Sequence, residues 1–157
     1  MRVLEPLIEL VRGLWTTLRF MFEKPVTVQY PEQKKPVKAR FRGRHVLHRY
    51  ENGLEKCIGC SLCAAACPSD AIFVESSENT DEKRFSPGER YASTYEINML
   101  RCIFCGFCQE VCPEEAIFLM KDYSLTGQSR AEMVYDKEKL LALGGVHQDQ
   151  IWKWKHK

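Results

Sequence analysis

No stretch of this 157-residue chain approaches the roughly 20 uninterrupted apolar residues that a membrane-spanning helix needs, because Arg2, Glu5, Glu9, Arg12 and Arg19 punctuate its most apolar region. The same charges break any secretory apolar segment and no small-residue cleavage site follows, so the chain is expected in the cytoplasm, not secreted. Histidine is scarce: His45, His48, His147 and His156 have no ligand-like spacing and read as structural or surface residues. Acid is missing from Lys34 to Arg49, a run holding Lys34, Lys35, Lys38, Arg40, Arg42, Arg44 and Arg49. Such a run suits an anionic lipid, an acidic protein surface or a solvated strand. No DNA- or RNA-binding motif accompanies it, so nucleic acid is not expected as a partner. With 45% hydrophobic and 28% charged residues and a net charge of +2, the chain is not a disordered one. Its length suits one domain with appendages, burying roughly 70% of the unfolded chain's surface.

What the chain has in abundance is cysteine, eight in two blocks. Cys57, Cys60, Cys63 and Cys67-Pro68 repeat as Cys102, Cys105, Cys108 and Cys112-Pro113, each block reading C-x2-C-x2-C-x3-C-P. Laying residues 55–74 over residues 100–119 gives nine identities at an offset of 45, including Ala71-Ile72-Phe73 against Ala116-Ile117-Phe118, which marks an internal duplication. Three thiolates two residues apart wrap one iron-sulfur cube from a single loop, and the fourth ligand comes from elsewhere. In the bacterial two-cluster pattern it is the last cysteine of the other block. The expected ligands are therefore Cys57, Cys60, Cys63 and Cys112 for a first 4Fe-4S cluster, and Cys67, Cys102, Cys105 and Cys108 for a second. Cys63 and Cys67, like Cys108 and Cys112, stand one helical turn apart, so a short helix can carry the chain between the clusters. Zinc needs only paired C-x2-4-C units and leaves the third cysteine of each block superfluous. Four disulfides would suit a secreted chain and not this duplication. Gly59 and Gly106 permit backbone conformations closed to other residues. Ile58, Leu62, Ile103, Phe104 and Phe107 are placed to shield the cubes from water.

Around this core, Val3, Leu4, Leu7, Ile8, Val11, Leu14, Trp15, Leu18, Met21 and Phe22 fall at helical spacing. They predict an amphipathic helix within residues 1–24, with Pro6 in its first turn. A helix this long has no obvious groove on a minimal two-cluster domain, so it is expected on a partner or at a membrane interface. Pro25, Pro31 and Pro36 favour an extended arm over 25–45. Val46 to Tyr50 reads as a strand, Glu51-Asn52-Gly53 as its turn, residues 75–90 as a polar surface insertion and Tyr91 to Ile97 as the second half's strand. A last helix is expected over Ser129 to Leu143, with Ser129 and Glu132 as capping box and Gly144 as C-cap. Trp152 and Trp154 in the tail suggest a further contact.

The cysteine blocks resemble the bacterial two-cluster ferredoxin fold, which implies an α+β core of two short hairpins and two helices related by a pseudo-twofold. Further features narrow the match. Val28-Gln29-Tyr30-Pro31, Arg40-Phe41-Arg42-Gly43-Arg44-His45, the block from Cys102 to Pro113 with Ala116-Ile117 after it, and Tyr135-Asp136-Lys137-Glu138-Lys139-Leu140-Leu141 together resemble subunit I of respiratory complex I, the NADH:quinone oxidoreductase. The likeness runs from the amphipathic start to about Leu143. It implies an electron relay with two 4Fe-4S clusters, no catalytic residue and no substrate site of its own. It also implies partners among the cluster-bearing peripheral-arm subunits and a membrane-arm subunit, with peripheral membrane contact through residues 1–24. The expected organisation is an N-terminal helix 1–24, a basic arm 25–45, a two-cluster domain 46–120 and a C-terminal helix and tail 121–157. The expected location is the cytoplasmic side of a bacterial inner membrane, since no Arg- and Ser-rich, acid-poor leader precedes the helix. Two other readings share the chemistry: a soluble two-cluster ferredoxin, and the equivalent relay subunit of a hydrogenase or another dehydrogenase.

Overall fold

The computed structural model describes residues 4–145, which fall into two compact units divided after Pro36. The first unit contains helix α1, Leu4–Met21. Its Leu4, Leu7, Ile8, Val11, Leu14, Trp15 and Leu18 form a stripe roughly 120° wide at 3.6 residues per turn, with Glu5, Glu9, Arg12, Thr16 and Arg19 gathered on one flank of it. Glu9 pairs with Arg12 one turn on at 3.1 Å. No residue of α1 is buried. Beyond it the chain is irregular through Gly43, as its prolines require. Among the described residues no helix is long and apolar enough to cross a membrane.

The second unit is α+β. Its elements are β1 (His45–Leu47), α2 (Leu62–Ala65), β2 (Ile72–Glu78), β3 (Arg90–Asn98), α3 (Phe107–Val111), β4 (Ile117–Leu119), β5 (Val134–Tyr135) and α4 (Lys137–Gly144). The strands pair across the two halves of the duplication and not within each half. β1 runs antiparallel to β4 with Leu47 opposite Ile117, and β2 runs antiparallel to β3 with Ile72 opposite Ile97. β5 adds to β3 through Ile97 and Asn98. The expected pair of local hairpins is thus one true hairpin, β2-β3, and one closure between distant strands. Side chains facing inward from these strands, Leu47, Ile72, Tyr95, Ile97 and Ile117, join Leu140 of α4 in one core. A bulge after Glu75 shifts the register so that Ala92 and Tyr95 both face inward from β3, where strict alternation would turn one of them out.

Three expectations change. The first strand is shorter and earlier than Val46 to Tyr50, because Arg49 leaves the ladder to bridge Glu55 around the Asn52-Gly53 turn. Residues 75–78 are not part of a loose insertion but the outer half of β2. The tip beyond them is tied down: the Asn79 side-chain amide donates to Ser86 O, Ser86 Oγ and Gly88 O at 2.7–3.2 Å, and its oxygen accepts from Phe85 N. The last helix begins at Lys137, not Ser129, because Tyr135 is buried and pairs with Ile97, which holds Val134–Tyr135 extended. Only half of the expected capping box forms, around a single 3-10 turn at Ala131–Met133: Glu132 N–H donates to Ser129 Oγ, while the Glu132 carboxylate accepts from Gln128 N–H and not from Ser129. Asp136 caps α4 by accepting from Lys139 N at 2.8 Å, a bond worth about 1 kcal/mol, and the C-cap is Gly145, not Gly144.

A buried carboxylate joins these parts. Glu55, 4% exposed, lies 3.3 Å from the Lys137 ammonium and 3.9 Å from Arg49, while its N–H donates to Phe85 O. Arginines of the acid-free run are likewise partnered from within the chain: Arg42 pairs with Glu110 of α3, and Arg44 pairs with Asp122. His147, His156, Trp152 and Trp154 lie outside the described residues.

Candidate functional site

The two cysteine loops share one backbone course. Gly59 and Phe104 both have positive φ, 66° and 54°; so do Ser61 and Gly106, 59° and 83°, and Asp70 and Glu115, both 49°. Each pair is related by the 45-residue offset, so the conformation belongs to the loop and not to its glycines. Non-glycine residues in this region cost about 1–3 kcal/mol each, a strain characteristic of built sites. What it achieves is visible in the donors. Alternating backbone hands turn successive N–H groups toward one centre, a concavity suited to anionic sulfur. Phe104 N lies 3.3 Å from Cys102 Sγ, Ala71 N 3.3 Å from Cys67 Sγ and Ala116 N 3.3 Å from Cys112 Sγ. Gly59 has a second reason to be glycine, since a Cβ there would stand 2.8 Å from Tyr91 O.

α2 and α3 pack against each other and carry each loop's last cysteine away from its first three. Two cavities result. One is lined by Cys57, Cys60, Cys63 and, from the other block, Cys112. The second is lined by Cys102, Cys105, Cys108 and Cys67. All eight cysteines are thiols, with no disulfide among them. Among the described residues no group of His, Cys, Asp or Glu closes around a single metal ion. Four soft sulfur donors around each cavity, met by backbone N–H groups, fit a 4Fe-4S cluster and satisfy its preference for thiolate.

Burial shapes the thiols. It pushes Cys57 up to about 12, opposed by the Gly59 N–H and reinforced by the neighbouring thiols Cys63, Cys112 and Cys60. It pushes Cys108 up to about 12 as well, with Cys102 and Cys63 acting in the same direction. Burial also raises Cys67, but N–H and hydroxyl donors at Ala71, Ser69 and Ile72 outweigh it and hold that thiol below its usual value. In a shell of this kind iron takes the place of the thiol protons.

Two residues beside the thiols were not singled out by sequence reasoning. Tyr95 of β3 is 1% exposed and its hydroxyl lies 3.3 Å from Cys63 Sγ. His45, read from the sequence as structural or surface, is also 1% exposed and places Nε2 3.8 Å from Cys102 Sγ, with its ring tilted on Phe104. Burial lowers the His45 imidazole to about 4, leaving it neutral. His48 is buried against Phe118. Of the expected shields, Ile58 lines the first cavity and Ile103 the second. Leu62, Ile103 and Phe107 are nonetheless about half exposed, so their side chains also present an apolar surface outward.

The sequence profile of the 4Fe-4S dicluster domain family matches residues 56–136. Among solved structures, a chain of the membrane-bound sulfane sulfur reductase, an archaeal respiratory membrane complex, is 34% identical over 76% of this chain, with a TM-score of 0.49. The present chain covers 56% of that one's length.

Proposed function

The chain belongs to the 4Fe-4S dicluster family of iron-sulfur electron-transfer domains, and from that premise we propose that it is the two-cluster relay subunit of a membrane-associated, proton-pumping NADH:quinone oxidoreductase. The observation that carries the reading is that the chain bearing the eight-thiol core also carries the long amphipathic helix α1, whose apolar stripe is left exposed within its own unit. A diffusible ferredoxin gains nothing from such a helix, and an exposed apolar stripe of this size favours association. The motifs around Tyr30, Arg42, Cys102–Pro113 and Tyr135–Leu141 support complex I as the assembly.

In this proposal Cys57, Cys60, Cys63 and Cys112 hold one cluster, and Cys67, Cys102, Cys105 and Cys108 hold the other. Bound clusters supply one-electron redox chemistry. The protein's own part is to fix the thiolates, to aim backbone N–H groups at them, and to keep the two cavities adjacent by packing α2 on α3. Residues 1–24 serve as a peripheral membrane anchor, 25–45 as a linking arm, 46–120 as the redox domain and 121–157 as a C-terminal brace. The working location is the cytoplasmic face of a bacterial inner membrane, among cluster-bearing peripheral-arm subunits and a membrane-arm subunit.

A native pull-down from detergent-solubilised membranes, with mass spectrometry of the companions and iron and sulfide quantified together, tests this. Recovery with a flavin subunit, other iron-sulfur subunits and membrane subunits is the expected result. Recovery with a hydrogenase or another dehydrogenase changes the donor. Recovery alone in the soluble fraction overturns the membrane assignment and leaves a soluble ferredoxin.

A further inference from the structure

His45 and Tyr95 look unrelated in sequence, yet the strand registers make them counterparts. The duplication sets Ile117, Phe118 and Leu119 of β4 equivalent to Ile72, Phe73 and Val74 of β2. Their partners correspond in turn: Leu47 opposite Ile117 matches Ile97 opposite Ile72, and His45 opposite Leu119 matches Tyr95 opposite Val74. The match continues one residue on, where His48 N donates to Ala116 O at 2.9 Å and Asn98 N donates to the equivalent Ala71 O at 2.8 Å. One position of the repeated unit therefore carries an imidazole in one half and a phenol in the other. Both side chains are buried, and each meets a thiol of a different cavity: Tyr95 meets Cys63, and His45 meets Cys102.

We propose that Tyr95 and His45 are equivalent positioning residues, each donating a hydrogen bond to a cluster-binding thiolate, and that their chemical difference makes the two clusters electronically unequal. A metal-bound thiolate carries no proton, so in both contacts the polar hydrogen belongs to the partner. At His45 this places an N–H on Nε2, facing Cys102, while Nδ1 has no hydrogen-bond partner among the described residues. A donor on a ligand sulfur stabilises the more negative, reduced cluster and so raises its potential. The hydroxyl at 3.3 Å is the closer donor and the imidazole at 3.8 Å the weaker one, so the lift is larger at the cluster held by Cys63.

The inference rests on the two-cluster reading but not on the donor complex. The test is a redox titration of the full-length, cluster-loaded protein followed by electron paramagnetic resonance. Signals are assigned first with Cys60→Ser and Cys105→Ser, which mark their own blocks whichever block supplies the fourth ligand. Failure of the crossed ligation would appear only in Cys112→Ser and Cys67→Ser, so the two ideas fail separately. Tyr95→Phe is expected to lower the potential of the signal that Cys60→Ser perturbs by about tenfold in its reduction equilibrium, about 59 mV for one electron, and to leave the other signal in place. His45→Met lowers the other signal by less, and His45→Gln, which restores an N–H donor, recovers it. 3-Fluorotyrosine at position 95 keeps the size of the side chain, strengthens the donor and shifts the first potential upward. Unmoved potentials in Tyr95→Phe, a common shift of both signals, equal values for His45→Gln and His45→Met, or no upward shift with fluorotyrosine would each overturn the proposal.

Discussion

Replacing Leu14 and Trp15 together by alanine is the sharpest test of the anchor. Leu14 is 63% exposed and Trp15 67%, so about two thirds of each side chain remains for a partner surface to cover. Complete burial of a large apolar side chain yields about 1.5–3 kcal/mol. The uncovered part is then worth about 1–2 kcal/mol each, or about 2–4 kcal/mol for the pair. At 1.4 kcal/mol per factor of ten, the double variant should bind membranes about 30- to 700-fold more weakly. Alanine has the highest helix propensity, so α1 persists and the loss reports on docking and not on unfolding. The assay is the equilibrium fraction of purified full-length protein sedimenting with membranes from cells that lack it, with helix content and cluster absorbance followed in the same samples. Glu9→Gln with Arg12→Gln, on the polar flank, is the control and should change binding little, because an exposed pair of this kind contributes at most about 1 kcal/mol. Unchanged sedimentation of the apolar variant, or an equal loss in the polar control, would refute the reasoning.

Crossed ligation predicts that Cys112→Ser perturbs the spectrum of the cluster held by Cys57, Cys60 and Cys63, and that Cys67→Ser perturbs the other; each block losing its own cluster would reverse the assignment. Asn79→Ala removes the four side-chain bonds by which Asn79 holds Phe85, Ser86 and Gly88 at the β2-β3 tip, leaving the Ser86 Oγ to Arg90 O bond in place, and should cost about 1–3 kcal/mol in denaturant unfolding of the loaded protein. Lys137→Met leaves the buried Glu55 carboxylate with only the more distant Arg49, and a loss of about 3–5 kcal/mol is expected. Substituting both Glu55 and Lys137 by Gln and Met should recover part of that loss, and a double variant no better than the single one would show that the pair is not coupled.

The site was legible because its signal is chemical and periodic. Thiol spacing marked two equivalent three-cysteine loops and the bacterial two-cluster pattern supplied the crossed fourth cysteine; in the structure Cys112 lines the cavity of the first block and Cys67 that of the second, and their ligation remains part of the proposal. The N-terminal helix was legible for a similar reason, its apolar period running uninterrupted over five turns. The C-terminal error has a definite cause. Ser129 and Glu132 carry a capping signature of which only the Glu132 N–H to Ser129 Oγ bond forms, and three residues later the burial of Tyr135 beside Ile97 outweighs local helix preference. No local pattern announces β5, whose two residues are extended because β3 offers an open edge.

His45 and Tyr95 escaped notice for a different reason, and it concerns how duplications are read. The alignment that reveals the repeat uses a 45-residue offset, and at that offset His45 falls on Arg90 while Tyr95 falls on Tyr50. The strands preceding each cysteine block are instead equivalent at an offset of fifty, because the chain between strand and block differs in length between the halves. Only pairing against β4 and β2, which keep the first offset, restores the correspondence. A substitution there is therefore invisible to self-alignment yet sits against a thiol in each half. Once two copies of a loop share three positive-φ positions and equivalent backbone donors, the main chain treats both clusters alike. Whatever distinguishes them must come from side chains at equivalent places, and this buried pair differs in chemistry while matching in position and touching a thiol in each half.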